Sequence, residues 1–403
     1  MNYQAWRFSG QMIQSCSLRT SCVRLIRAGS LLRYTQFLQT RTLSVSCCEY
    51  PSRQVYQNPL LRYDPIGIRV NTHSQHCYHK FGENQRTPAS MGDSVKQLRY
   101  ADVAINLGDP VFTGVYHGKK VHDNDLDDII QRALDIGCQK LMVTGSDLDE
   151  SRHAVELAKA HPGICYATVG VHPCQAKLFD SYPEGPEKML QELRILALEA
   201  KESGHATAFG EIGLDYDRLF FSPKDQQLKY FESQLDLAVE VQLPLFLHSR
   251  AASEDFERLL TPRLAKLPKG GLVHSFTGTM EEMQRLVDLG LDIGVNGCSL
   301  KTEENLEVVK AMPLERIQIE TDGPWCEIRP SHASYKHLEG APVLPKSFKK
   351  EKWQKGCMVK GRNEPVTIYQ VAHVIASVKG ISVEEVCETT WQNSIRMFAL
   401  GET

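Results

Sequence analysis

From about residue 100 onward, short apolar runs rich in β-branched residues alternate with stretches whose apolar positions recur at helical spacing. Eight of the short runs are predicted strands: ADVAINL (101–107), KLMVTG (140–145), CYATVGV (165–171), ATAFGEIGL (206–214), PLFLHS (244–249), GLVHSF (271–276), LDIGVNG (291–297) and RIQIETD (316–322). Between them, Leu126, Ile129, Ile130, Ala133 and Leu134 form one apolar stripe along a helix. Leu228, Phe231, Leu235 and Ala238 nearly repeat that pattern after the fourth run, and Pro223 suits the first turn of the helix they mark. Strand and helix in alternation predict a parallel sheet covered by helices. Eight such units fit a closed α/β barrel, the TIM (β/α)8 fold, better than an open doubly wound sheet. An open sheet tends to carry a Gly-rich phosphate turn after its first strand, and GDPVFTG is a poor one. Residues 366–399 read as helices that close the barrel.

The first hundred residues have a different character. Residues 49–98 are rich in Tyr, Asn, Gln, Pro and His without a sustained period, and read as a poorly ordered lead-in to a domain spanning 99–403. Residues 1–48 hold six arginines, no lysine and no acid; without them the net charge falls from -3 to -9. An Arg-rich, Ser-rich, acid-free start has the composition of a mitochondrial transit segment, or is an extension with no targeting role. Met91 opens a second plausible beginning just before the first strand. The remaining composition, 42% hydrophobic and 24% charged over 403 residues, is that of a globular protein, with no apolar run long enough for a membrane span. Twelve cysteines without CxxC pairing argue against a zinc ribbon and a secreted disulfide framework. The expected setting is intracellular: nucleus or cytoplasm for the barrel, the mitochondrion if residues 1–48 direct import.

Chemistry gathers where the predicted strands end. The third ends in GVHP with His172, the fourth in GEIGLD with Glu211 and Asp215, and the fifth in LHSR with His248 and Arg250. The sixth ends in HSF with His274, and the eighth in ETDGP with Glu320 and Asp322. A barrel brings the C-terminal ends of its strands to one mouth, so these groups would converge there. Charges at the ends of apolar strands cost several kcal/mol unless paired, on the order of magnitude seen for buried ions. A shared cation accounts for them most simply. An internal network of protonated histidines and carboxylates is the alternative.

The motifs GVHP, GEIGLD, LHSR, VHSFTGT, IGVNGCSLKTEENLEVV, IETDGPW and RNEP, in that order, resemble those of the TatD-type deoxyribonucleases, and more narrowly the eukaryotic TatD DNase domain-containing kind. The resemblance covers about residues 100–400. It implies a TIM barrel of the metal-dependent hydrolase superfamily that hydrolyses DNA. Carried over by position, Glu211 would bridge or ligate two metals, and His248, His274 and Asp322 would be further ligands. His172 would touch phosphate or the second metal. Many members of the wider superfamily carry His-x-His at the end of the first strand, where this chain, like the TatD-type enzymes it resembles most, has Ala104 and Asn106. One metal site is therefore poorer in protein ligands. Mixed His and carboxylate ligation suits Zn or Mn, and a water-rich, carboxylate-led site suits Mg, so one or two ions are expected, Mg first among them.

On this reading Asp322 is both ligand and the base that orients the attacking water, and Glu211 holds the metals. His172 and Arg250 face the oxygens of the scissile phosphate. Substrate contacts are expected from Arg250, Asn296, Lys301 and Arg362. The run 345–365 adds Lys346, Lys349, Lys350, Lys352, Lys355 and Lys360 against two acids, with Trp353 placed to stack on a base; an ordinary solvated loop is the alternative. The expected partner is DNA, with no membrane and no protein partner inferable. The rival readings are a small-molecule hydrolase of the same superfamily and a non-enzymatic binding barrel.

Overall fold

The computed structural model describes residues 98–401 other than Pro268. The readings made for residues 1–48 and for all but the last residue of 49–98 lie outside the described residues. Eight strands carry the fold: β1 (Tyr100–Ile105), β2 (Cys138–Val143), β3 (Cys165–Val169), β4 (Ala206–Asp215), β5 (Leu245–Arg250), β6 (Gly271–Val273), β7 (Asp292–Val295) and β8 (Ile317–Ile319). They lie side by side in chain order and every neighbouring pair is parallel. Asp322 N donates to Ala104 O at 2.8 Å and Asn106 N to Gly323 O at 3.0 Å. These bonds join the last strand's end to the first strand's end and close the barrel.

Alternation along the strands sorts the core into two layers. Leu141, Val143, Ala167, Val169, Phe209, Ile212, Leu245 and Leu247 face outward and are buried under the helices. Ala101, Val103, Met142, Tyr166, Ala208, Phe246 and Leu272 form a separate inner cluster. The C-terminal helix Val383–Phe398 contributes Trp391, Met397 and Phe398 to that inner cluster, so the tail stoppers the end of the barrel away from the strand C-termini. Pro223 stands at the N-cap of helix Lys224–Val241, one place before its first turn. Thr279 and Thr302 each complete a capping box at the start of the helices Met280–Asp288 and Glu303–Ala311.

The last three predicted strands are shorter than their apolar runs, and the residues lost from them are the chemically interesting ones. Ala251, Ser275 and Asp322, just past β5, β6 and β8, adopt φ near 50°. A side-chain-bearing residue in that left-handed region ends the ladder and turns the chain at the mouth. Past β7 the turn is made differently: Asn296 Oδ1 accepts from Cys298 N at 2.8 Å.

Candidate metal centre

The mouth is organised around one carboxylate oxygen. Glu211, within β4, places Oε1 2.7 Å from His274 Nε2, 2.9 Å from His248 Nδ1 and 3.3 Å from His172 Nε2. Four strands meet at this point because β4 and β5 run unusually close. Gly213 faces His248 across the ladder, and a Cβ there would lie 1.8 Å from His248 O, so only glycine fits the GEIG sequence at that position. All four residues are nearly closed to solvent. Below them the Phe246 ring, from the inner cluster, stacks on His274 at 4.8 Å between centroids.

Each imidazole is oriented from its far side. His172 Nδ1 accepts from Cys174 N at 3.0 Å, which leaves the proton of the neutral ring on Nε2, the nitrogen facing Glu211. His248 Nε2 lies 3.3 Å from Asp215 Oδ2, itself 3.3 Å from Arg218 Nη1. His274 Nδ1 lies 3.5 Å from Glu320 Oε1. Glu320 in turn accepts from Ser275 N at 2.8 Å and from Asn296 Nδ2 at 2.9 Å. Asp322 is set apart: Oδ1 accepts from Asn106 Nδ2 at 3.0 Å, and Oδ2 accepts from the Cys326 thiol at 3.2 Å.

The electrostatics follow from this geometry. Burial pushes the Glu211 carboxyl up, but His274 and His172 outweigh it and hold it well below the usual carboxylate range. Burial disfavours a charged His274, yet Glu211 and Glu320 raise it well above an ordinary imidazole. Asp322 behaves oppositely to Glu211: burial, opposed by His274 and reinforced by Glu320 and Glu211, pushes it up to about 6. The donor set fits a divalent cation. Ligating atoms of His172, Glu211 and His248 lie within 4.8 Å of one another, and those of His172, Cys174 and Asp215 do the same. Behind the imidazoles, Asp215 Oδ1, His274 Nδ1 and Glu320 Oε2 are buried without a hydrogen-bond partner.

The model of the family described as TatD related DNase matches residues 102–399. This chain belongs to that family. It is 53% identical over 307 residues to the Deoxyribonuclease Tat-D of Schizosaccharomyces pombe, covering 76% of this chain and 97% of the relative. It is 34% identical over 282 residues to the 3'-5' ssDNA/RNA exonuclease TatD of a Rahnella species, covering 69% and 94%. A crystal structure of a TatD family hydrolase from Entamoeba histolytica superposes with TM-score 0.68 at 34% identity, covering 75% of this chain and 98% of that one. The TatD fold is therefore the one described above, a hydrolase barrel with its polar residues at the strand C-termini.

Against that frame the remaining expected site residues divide. Glu211, His248, His274 and His172 come together; Asp322 shares the mouth without a direct contact to them. Arg250, at the end of β5, is half-buried, and its charge acts on Asp215 and Cys174. It also edges a cavity of about 720 Å³ whose other ionisable walls are Asp217, Glu282, Glu304 and Glu307, an unsuitable channel for a polyanion. Lys301 is exposed on the rim. Asn296 and Arg362 are not at the surface. Asn296 is fully buried, with its amide donating to Glu320 and Ser275 and its oxygen accepting from Cys298 N. Arg362 is 4% exposed and holds Asp125 through both terminal nitrogens. These two act first as supports, since the terminal nitrogens of Arg362 are taken up by Asp125 and Val111 O, although its unpartnered Nε lies at the floor of the lysine groove. Trp353 is half-buried, stacked on His122 at 5.0 Å and donating to Cys357 O. Most of the lysines around it are exposed; Lys350 is half-buried over the Tyr116 ring, and Lys349, Lys350 and Lys360 line a groove of about 420 Å³ with Tyr116 and Arg362.

Glu320 and Asp215 are the functional candidates to which sequence reasoning gave no role. Both sit inside quoted motifs, and the available signal was their spacing. Glu320 precedes Asp322 by two along the strand, which places it one layer deeper on the same face.

Proposed function

We propose that this chain is a divalent-metal-dependent deoxyribonuclease that hydrolyses DNA phosphodiester bonds. The observation that carries the proposal is the single carboxylate oxygen of Glu211 ringed by His172, His248 and His274 at the barrel mouth. Glu211, His248, His274 and Asp322 would hold the cation, with Asp215 and Glu320 as outer supports. A cation held there supplies a more acidic water and a positive field for the phosphoryl oxygens.

The chain's own residues do the rest. Asp322, pushed up to about 6, takes the proton of the attacking water near neutral pH. His172 presents Nε2–H, which suits a non-bridging phosphate oxygen better than a metal, since its other nitrogen already accepts a backbone N–H. Arg250 offers a second set of donors from the end of β5. The exposed lysines of the loop after β8 neutralise neighbouring phosphates along the strand. Mg is the expected ion, with Mn and Zn the alternatives. The relative named as a 3'-5' exonuclease on single-stranded DNA and RNA supports an end-directed cut on unpaired strands. Processing, repair or degradation of DNA inside the cell would employ that activity, and the arginine-rich start supports mitochondrial import as one destination.

The test is cleavage of labelled single- and double-stranded oligonucleotides by the full chain. EDTA should abolish cleavage, Mg or Mn should restore it, and Glu211→Ala should remove it. Cleavage untouched by EDTA, or retained by Glu211→Ala, refutes the proposal. Turnover of amide or lactone substrates in place of DNA would favour the small-molecule reading.

A further inference from the structure

Two thiols meet beside Asp322, and nothing in the proposed chemistry uses their reaction with each other. Cys298 lies in the turn after β7 and Cys326 in the turn after β8, with their Sγ atoms 2.9 Å apart. The approach is built into both turns. Asn296 Oδ1 fixes the Cys298 backbone at 2.8 Å, and a Cβ on Gly297 would lie 2.0 Å from Cys326 O, so the adjoining glycine is what lets the two turns touch. Both cysteines are partly exposed, whereas Cys138, Cys165, Cys174 and Cys387 are buried. Cys326 also donates its thiol proton to Asp322 Oδ2 at 3.2 Å. That bond and the one from Asn106 are the two side-chain donors that fix the Asp322 carboxylate.

We propose that Cys298 and Cys326 are an oxidisable pair, and that their disulfide weakens the metal centre by withdrawing the thiol from Asp322; this rests on the metal-dependent reading above. A peroxide is the oxidant. One thiol gives up its proton and the thiolate attacks the peroxide O–O bond; the sulfur keeps OH as a sulfenic acid, and the departing hydroxide takes up the released proton as water. The second thiol then displaces that hydroxyl as another water, forming the S–S bond and losing the proton that Asp322 had accepted. The two sulfurs are already in contact, so closure needs no rearrangement of the strands. The carboxylate keeps one donor instead of two and is held less firmly. Loss of an outer-shell partner costs on the order of 10–100-fold in metal affinity; a thiol is a weak donor, so about tenfold is expected.

The experiment uses the full chain, reduced or treated with hydrogen peroxide. Peptide mapping after alkylation reports the Cys298–Cys326 crosslink, and calorimetric titration with Mn²⁺ alone reports the affinity. The oxidised protein should carry the crosslink, bind Mn²⁺ about tenfold more weakly and recover with dithiothreitol. Cys298→Ser, which leaves the Cys326 thiol on Asp322, should bind Mn²⁺ as the reduced protein does and should form no crosslink after peroxide. Absence of the crosslink, or unchanged or tighter Mn²⁺ binding in crosslinked protein, overturns the proposal. Neither readout depends on nuclease activity: a protein that shows the redox shift in Mn²⁺ binding but never cuts DNA would sink the substrate assignment and leave this inference standing.

Discussion

Glu320→Gln isolates what the layer beneath the candidate ligands contributes. Glu320 is fully buried; its Oε1 accepts from Ser275 N and Asn296 Nδ2 and lies 3.5 Å from His274 Nδ1 without a hydrogen bond to it. Glutamine keeps an oxygen for the first two donors, so the turns after β6 and β7 should stay in place. The new amide group falls where Oε2 had no partner, and leaving it unsatisfied costs about 1–3 kcal/mol of stability. The charge is what disappears. At 3.5 Å and an effective dielectric near 20, attraction between a carboxylate and an imidazolium is about 5 kcal/mol, a ceiling on the change felt by His274. Within that ceiling, outer-shell partners of metal-binding histidines are worth roughly 10–100-fold in affinity, or about 1.4–2.8 kcal/mol. The variant should therefore bind Mn²⁺ weaker by that factor in calorimetric titration. Its nuclease rate should recover as Mn²⁺ is raised. If the folded variant binds Mn²⁺ as tightly as the parent chain, His274 is not tuned through Glu320 and its place in the centre is wrong.

Asp102 is buried beneath the seam between β1 and β8, where burial, only partly offset by Thr321 donors, pushes its carboxyl up to about 8. The folded state thus keeps a proton that the unfolded chain releases near pH 3.9, so this group costs stability progressively as pH rises from about 4 to 8, by a few kcal/mol. Asp102→Asn should flatten the fall in Tm over that range, and parallel Tm profiles would count against it. Arg362→Ala leaves Asp125 buried without its principal partner and should destabilise by about 3–5 kcal/mol in urea unfolding, with little change in the DNA salt dependence of whatever remains folded; a large affinity loss at unchanged stability would return Arg362 to the rim. Reversing Lys349, Lys352 and Lys355 to glutamate should reduce the slope of log affinity against log salt by about 2 for single-stranded DNA, read by fluorescence anisotropy. An unchanged slope makes the loop an ordinary solvated one.

The barrel was legible because its strands are buried on both faces and its helices on one. Continuous apolar runs and single stripes are distinct patterns, and all eight runs became strands at their expected places. Convergence of His172, Glu211, His248 and His274 followed from strand-end position alone. Burial and partner choice were less legible. Arg362 reads as a rim cation because it follows a run of lysines, but the partner that buries it, Asp125, lies far back in the chain before the first barrel helix. Asn296 reads as exposed because it ends a strand, yet a turn of its own making folds it inward onto Glu320. The first is decided by a residue distant in sequence and the second by a local turn that aims the side chain at Glu320, and one-dimensional periodicity encodes neither.

Asn106, at the end of β1, has a definite part in this arrangement. Its amide hydrogens go to Asp322 Oδ1 and Gly323 O, both at 3.0 Å. The end of β1 therefore orients a carboxylate. With the Cys326 thiol on the other oxygen, Asp322 is held from two sides and kept off the three imidazoles that crowd Glu211. That separation is why the two acids diverge, Glu211 held well below the usual carboxylate range and Asp322 raised to about 6. Two carboxylates pushed apart in this way are suited to different tasks, one to remain charged toward a cation and the other to exchange a proton near neutral pH. The amide of Asn106 is thus part of the division of labour at the mouth, since a side chain without a donor at position 106 would release one oxygen of Asp322.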